Sequence, residues 1–314
     1  MYDPFSQGPL AIAARTIYAE DKARRRVFPV EIWRPAAHPE TCPLIVYSHH
    51  SGGSRRSATF LCAHLASHGY IVAALDHSET VAKELARRDG LTAEERAAVA
   101  KAIVAARVPD IRFLLDQMLG AASGGEPPVD AGRIGIVGHS IGGWTALAAP
   151  EVEPRIRAVV ALAPGGASNP RPGILRANLT FAWGREVPTL YLVAENDVPL
   201  PLAGMYELFQ RTPEPKKMFI LRRADHLHFI DNVEQQHEAV RNTPLSGAEW
   251  DWMIQEMLPI SELCSGEQAH AFLRALTLAH MDAALLDRQE ARAFLSSGVE
   301  TELAHRGISA MAAG

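Results

Sequence analysis

The chain has 314 residues, of which 47% are hydrophobic and 21% are charged, a balance that is ordinary for a globular protein. Its net charge of −5 and its pI near 6.2 do not indicate a positively charged binding surface, so we expect no nucleic-acid partner. No apolar run approaches the roughly 18 residues that a membrane-spanning helix needs. The N-terminus shows no secretory signal and the three cysteines are widely spaced, so we expect a cytoplasmic protein without disulfides.

Strand-like and helix-like segments alternate along the first two thirds of the chain. Because alternating strands and helices build a sheet with helices on both faces, the pattern predicts an α/β protein with a mainly parallel central sheet. The predicted strands are 12–20, 27–33, 43–48, 70–75, 133–137, 155–163, 188–194 and 216–222, and the predicted helices between them are 57–68, 111–119, 143–149 and 202–210.

Three segments interrupt or follow this pattern. Residues 78–107 are rich in alanine and charge, and Thr92 with Glu95 has the spacing of a capping box that begins a helix. Residues 164–187 are irregular and rich in glycine and proline, and the tail at about 232–300 is helical. No segment has the composition of a linker, so we predict a single domain over 1–314 with its core at about 10–230.

A G-x-S-x-G motif lies between a predicted strand and a predicted helix. Gly138, Ser140 and Gly142 form it, and strand, sharp turn and helix are the context of a nucleophile elbow. Such a turn presents the serine hydroxyl at the carboxyl end of the strand. The motif therefore makes Ser140 the candidate nucleophile.

A serine hydroxyl needs a base, and the base needs an acid that fixes its tautomer. In this fold class the acid and then the histidine follow the serine along the chain, at the carboxyl ends of later strands. Asp197 is the preferred acid, with Glu195 as the weaker candidate, because both follow the strand 188–194. His226 is the preferred base, with His228 as the alternative.

The oxyanion of the reaction requires backbone donors. The N–H of Ser51, in the loop after the first inner strand, and that of Ile141, after the nucleophile, are the candidates. His49, His50 and His77 also lie at strand ends, but neighbouring residues of an extended chain point to opposite sides. We therefore expect no metal site.

Four segments together resemble the α/β-hydrolase superfamily, and more narrowly its dienelactone-hydrolase-like and platelet-activating-factor-acetylhydrolase-like serine esterases. The resemblance covers roughly residues 10–230 and implies an α/β-hydrolase fold, a Ser-Asp-His triad, no cofactor and hydrolysis of carboxylic esters. It departs from the family at His50, where a glycine is usual, and in having serine where true dienelactone hydrolases have cysteine. The four segments are 48–53, 65–77, 138–143 and 225–229.

These observations predict a serine hydrolase that cleaves small-molecule esters through an acyl-enzyme intermediate. Ser140 attacks, His226 transfers the proton, Asp197 orients His226, and the N–H groups of Ser51 and Ile141 hold the oxyanion. An amidase, peptidase or acyltransferase on the same triad is the alternative within enzymes. A catalytically silent ligand-binding member of the fold is the alternative outside them. The helical tail is compatible with a lid or with a homodimer contact.

Overall fold

The computed structural model describes residues 2–37, 41–86, 88, 90–120, 128–242 and 251–313. The strands are β1 (Ile12–Asp21), β2 (Arg26–Pro35), β3 (Cys42–Ser48), β4 (Ile71–Leu75), β5 (Val129–His139), β6 (Ile156–Leu162), β7 (Thr189–Ala194), β8 (Lys216–Leu221) and β9 (Ala310–Ala313). The helices are α1 (Thr59–Ser67), α2 (Ser78–Val81), α3 (Ala93–Gly120), α4 (Ile141–Ala148), α5 (Leu202–Arg211), α6 (Val233–Asn242), α7 (Asp251–Glu256), α8 (Gly266–Leu285), α9 (Gln289–Ser296) and α10 (Val299–Ala304).

The nine strands form one sheet in the order β1-β2-β4-β3-β5-β6-β7-β8-β9. The six inner strands, β3 to β8, are mutually parallel. The strands β1, β2 and β9 pair antiparallel with their neighbours. This arrangement confirms the predicted mainly parallel sheet. The strand order reverses between β3 and β5, and in open α/β sheets ligands bind outside the carboxyl ends of the strands at such a point.

The sheet is buried on both faces because successive side chains of a strand point in opposite directions. In β3, Leu44 and Val46 pack into one core cluster together with α3, α4 and α5, while Ile45 and Tyr47 pack into a second cluster with α1 and α8. All of these β3 side chains are inaccessible to solvent. This double burial explains why β3 is apolar at every position from Leu44 to Tyr47.

Helix α3 differs from its prediction. The sequence predicts a separate helix over 111–119, and that boundary is wrong: α3 runs from Ala93 to Gly120 without a break at Pro109. A proline inside a helix costs about 3 kcal/mol. The turns on both sides of Pro109 contribute fully buried side chains, among them Arg107 and Leu114, and their packing offsets this cost. The predicted capping box is present, since Thr92 and Glu95 exchange hydrogen bonds of 2.7 and 3.2 Å.

The tail contributes more to the sheet than its pattern predicted. Helix α8 packs against the same face as α1, and Phe272 and Leu276 on it are fully buried. The chain then returns to the sheet as β9, whose residues Ala310–Ala313 pair antiparallel with β8. This short strand was not predicted, because four residues rich in alanine carry no strand signal.

Candidate active site

Ser140 occupies a strained turn between β5 and α4. Its φ of 61° and ψ of −119° lie in a region that a non-glycine residue rarely adopts. The turn is fixed by hydrogen bonds from the Ser140 N–H to the Leu162 carbonyl (2.9 Å) and from the Gly165 N–H to the Ser140 carbonyl (2.9 Å). A β-carbon on Gly138 would lie 2.0 Å from the Gly142 carbonyl oxygen, so only glycine fits there. The predicted elbow geometry is therefore present.

The loop that follows β3 lies beside the elbow. β3 and β5 are parallel neighbours, and Ser48 at the end of β3 is in register with Gly138. The two strands bracket the point where the strand order reverses. The sheet thus brings Ser51 and Ile141 to the same cavity as Ser140, and all three residues line it.

His226 and Asp197 form a close pair. His226 Nδ1 lies 2.7 Å from Asp197 Oδ2, and Asp197 is almost completely buried after β7. The other oxygen of Asp197 accepts a hydrogen bond of 2.7 Å from the Leu200 N–H. His226 begins a short 3₁₀ turn after β8 and lines the cavity next to Ser140. Within the described residues no hydrogen bond joins the Ser140 hydroxyl to His226, and such bonds often tighten only in the substrate complex.

The alternative residues have other partners. His228 is fully buried, with Nδ1 2.7 Å from Asp225 Oδ1 and Nε2 3.0 Å from the Cys264 carbonyl. Asp225 also caps the 3₁₀ turn by accepting from the Leu227 N–H (2.9 Å). Glu195 pairs with Arg222 at 3.0 Å. His228 and Glu195 are therefore bonded to groups other than those of the candidate triad, and neither of them lines the cavity.

Three imidazoles lie close together at the site. The ring centroid of His139 is 4.6 Å from that of His226 and 5.3 Å from that of His50. Burial and the neighbouring positive groups lower the pKa of His50 to about 4, and burial holds the pKa of His139 well below 6.5. Both are therefore neutral at neutral pH. Burial opposes charge on His226 as well, but the Asp197 carboxylate outweighs it and raises the pKa of His226 above 6.5.

The cavity above Ser140 has a volume of about 360 Å³. Its walls come from the elbow, from the irregular segment around Ile174, and from the tail. Arg171 of the irregular segment lies beside it, pairs with Glu256 of α7 at 2.6 Å and covers the Trp252 ring at 3.8 Å, so its charge is neutralised. The apolar wall consists of Ile141, Ile174, Leu175, Val198, Pro199, Leu200, Leu227, Ile230, Val240, Met253 and Met257.

The structure brings all five predicted site residues together. Four of them line the cavity, namely Ser51, Ser140, Ile141 and His226, and the fifth, Asp197, is hydrogen-bonded to His226. Sequence reasoning missed the roles of Arg107 and Asp110, which are fully buried beneath the loop after β3. Arg107 gave no signal within its charged, alanine-rich segment. Asp110 lies just before the predicted helix 111–119 and gave no signal of its own. Among the described residues no group of three or more His, Cys, Asp and Glu side chains is placed to hold a metal ion.

A doubly covered, mainly parallel sheet with this strand order is the architecture of the α/β-hydrolases, and parts of the chain are similar to esterases. Residues 18–120 match the family model described as platelet-activating factor acetylhydrolase, isoform II. This matched segment contains the loop after β3 and ends before Ser140. No helix in the described part of the chain is long and apolar enough to cross a bilayer.

Particular proteins are also similar to the chain. A cutinase, est1, of Thermobifida alba is 27% identical over 184 residues, which is 58% of this chain and 51% of the relative. A bis(hydroxyethyl) terephthalate hydrolase of Streptomyces coelicolor is 27% identical over 179 residues, 56% and 47% of the two chains. The chain thus spans about half the length of these relatives. A ferulic acid esterase from Streptomyces cinnamoneus has a similar fold, with a TM-score of 0.66, 24% identity, and 89% and 92% coverage.

Proposed function

We propose that the protein hydrolyses carboxylic esters through a Ser140–His226–Asp197 triad. One observation carries the proposal: Ser140, on its strained turn, opens into the same cavity as His226, whose Nδ1 is bonded to Asp197 at 2.7 Å. A carboxylate can only accept, so Nδ1 carries the proton and Nε2 is available as a base. This is the tautomer that a serine nucleophile requires.

The proposed reaction follows from these groups. Ser140 Oγ attacks the ester carbonyl carbon while His226 Nε2 takes the hydroxyl proton. The oxygen that becomes negative accepts hydrogen bonds from the Ser51 and Ile141 N–H groups. His226 then gives its proton to the leaving alcohol, and water releases the acyl group by the same route. Asp197 stabilises the imidazolium that forms at each step.

The cavity supports uncharged esters with apolar groups as the substrate class. The described residues that line it are mainly aliphatic and include no Lys or Arg, and the neighbouring Arg171 is paired with Glu256. The names of the relatives, a cutinase, a terephthalate ester hydrolase and a ferulic acid esterase, support ester hydrolysis. A cytoplasmic location and a homodimer stay predictions.

Labelling with a fluorophosphonate probe, mapped by mass spectrometry, tests the proposal together with a p-nitrophenyl butyrate assay. We expect an adduct on Ser140 and ester turnover. Ser140→Ala should abolish both, since removal of a catalytic serine costs about 10⁶ in kcat. The exposed Ser297 is the matched control, and Ser297→Ala should retain full activity. A folded wild-type protein with neither adduct nor turnover would favour a silent, ligand-binding member of the fold.

A further inference from the structure

A buried imidazole lies directly behind the loop that follows β3. His49 is inaccessible to solvent. Its Nε2 accepts a hydrogen bond of 3.1 Å from the His77 backbone N–H, and its Nδ1 lies 2.7 Å from the His50 carbonyl oxygen. A backbone N–H can only donate and a carbonyl can only accept. His49 is therefore a neutral imidazole with its proton on Nδ1.

This tautomer fixes one peptide unit of the site. The His50 carbonyl accepts from His49 Nδ1–H and from the Gly53 N–H (3.1 Å). The peptide between His50 and Ser51 is trans, so its carbonyl and its N–H point in opposite directions. Because the carbonyl is held toward the buried imidazole, the Ser51 N–H is directed the other way. His50, Ser51 and Ser140 all line the cavity.

A second buried histidine, His77, fixes the position of the backbone N–H that donates to His49. His77 Nδ1 lies 3.1 Å from Asp110 Oδ2, and its Nε2 lies 2.8 Å from the Ser48 hydroxyl. Asp110 also accepts from the Ser78 N–H at 2.8 Å. Ser48, His77 and Asp110 have the connectivity of a triad, but all three are fully buried, so no substrate reaches Ser48. Their arrangement fixes the backbone that bonds to His49.

Arg107 completes the support. It donates from Nη1 to the His49 carbonyl at 2.6 Å and pairs with Glu79. Burial and the nearby Arg107 charge hold the pKa of both His49 and His77 below 6.5. Both imidazoles therefore remain neutral over the pH range in which His226 acts as a base. The hydrogen bonds that set the His49 tautomer persist over that range.

We propose that His49 is a positioning residue for the oxyanion. Its Nδ1–H holds the peptide between His50 and Ser51 so that the Ser51 N–H faces the carbonyl oxygen of an ester at Ser140. The inference rests on the proposed function. As the Ser140 Oγ–carbon bond forms, the carbonyl π pair moves to oxygen and His226 takes the serine proton. Ser51 then donates to the new oxyanion, and His49 itself exchanges no proton.

The test compares side chains that keep or remove the Nδ1 donor. His49→Asn places an amide near the position of Nδ1, His49→Gln places it near Nε2, and His49→Leu removes both. We expect kcat for p-nitrophenyl butyrate to fall about a hundredfold in His49→Leu, the usual effect of one lost oxyanion donor, with KM changed less than about twofold. His49→Asn should recover most of kcat and His49→Gln should not. The acid limb of the pH–rate profile should not move, since His226 is unchanged.

An oxyanion-forming inhibitor separates positioning from a general loss of structure. An aliphatic trifluoromethyl ketone adds to Ser140 and places its oxygen in the hole, so its Ki should rise in step with the fall in kcat/KM. His280, a buried histidine of α8 bonded to the Pro188 carbonyl, provides the matched control. His280→Leu should lower the unfolding temperature without changing kcat or Ki.

Two results would overturn the inference. One is a folded His49→Leu with kcat within about threefold of wild type or with an unchanged Ki. The other is equal loss in His49→Asn and His49→Gln, a comparison that remains if His49→Leu does not fold. Long-range ¹H–¹⁵N NMR of the wild type reads the tautomer without any substrate, and a proton on Nε2 of His49 would also contradict it. Absence of turnover by the wild type would instead contradict the proposed function.

Discussion

Gly142 on α4 lies against the Ser48 carbonyl at the end of β3. A β-carbon on Gly142 would be 2.0 Å from that oxygen and 2.7 Å from the His49 carbonyl oxygen. Because of this close approach, the first turn of α4 packs directly against the end of β3, which leads into the loop that contains Ser51. The distance between the nucleophile turn and the loop after β3 therefore depends on the absence of a β-carbon at Gly142.

Gly142→Ala should destabilise the protein, although alanine is the better helix former by about 1 kcal/mol. The backbone oxygen of Ser48 cannot move without displacing β3, so we expect a loss of at least about 2 kcal/mol in the free energy of unfolding. Denaturant titration measures it. Among the described residues no heavy atom lies within 4 Å of a β-carbon built on Gly120, at the end of α3, so Gly120→Ala should be neutral or stabilising. Equal stabilities of the two variants would contradict the packing argument.

Asp197→Asn should change the pH dependence as well as the rate. The Asp197 carboxylate raises the pKa of His226, and His226 must be neutral to act as a base. Activity therefore rises as pH rises through this pKa. Without the charge the pKa falls, so the acid limb of kcat/KM should move to lower pH while kcat drops by about 10⁴.

Glu195→Gln is the control for that variant, because Glu195 pairs with Arg222 outside the cavity. It should leave both the rate and the acid limb unchanged. Pre-steady-state and steady-state assays with p-nitrophenyl butyrate from pH 5 to 9 provide the profiles. An acid limb that stays in place in Asp197→Asn would mean that the carboxylate does not act on the titrating base.

His228→Gln should reduce stability most at low pH. Burial opposes the charge of His228, but the bond to Asp225 outweighs it and raises the pKa of His228 to about 10. A raised pKa contributes stability that is fully present below about 6.5 and is lost as pH rises through about 10. Removing one partner of a buried pair costs about 3 kcal/mol. The difference between variant and wild type should therefore shrink from pH 6 toward pH 10.

Chemical denaturation at several pH values measures this difference. His305 is exposed, and His305→Gln should have little effect on the free energy of unfolding at any of them. A destabilisation by His228→Gln that grows with pH would show that His228 is neutral in the folded protein.

Met257→Ala should alter the preference for chain length. Met257 is buried and, with Met253 and Val240, closes the cavity from the side of the tail. Removing its side chain lengthens an apolar space, and each added methylene in such a pocket is worth about 1 kcal/mol. We expect the ratio of kcat/KM for octanoate over butyrate p-nitrophenyl esters to rise about fivefold. Met311→Ala, at an exposed residue of β9, should leave the ratio unchanged. The same ratio in both variants would show that Met257 does not form part of the binding wall.

The sequence by itself predicted the parts of this protein that depend on local pattern. Apolar runs predicted the eight core strands to within a few residues, and a glycine-flanked serine between strand and helix made Ser140 the candidate nucleophile. The order of residues along the chain selected Asp197 and His226 as the candidate acid and base, because the carboxyl ends of parallel strands lie at one edge of the sheet. These features are encoded over a few residues, so neighbours in sequence reveal them.

Only the tertiary structure decided which polar groups meet. His49, His77 and Asp110 are separated by up to 61 positions along the chain yet form one buried hydrogen-bonded chain, and their tautomers follow from partners that no local pattern specifies. The same holds for the continuity of α3 through Pro109 and for β9, whose alanine-rich residues pair only because β8 offers an open edge. Such contacts join residues that are far apart along the chain, so the free energy that they contribute cannot be inferred from any one segment.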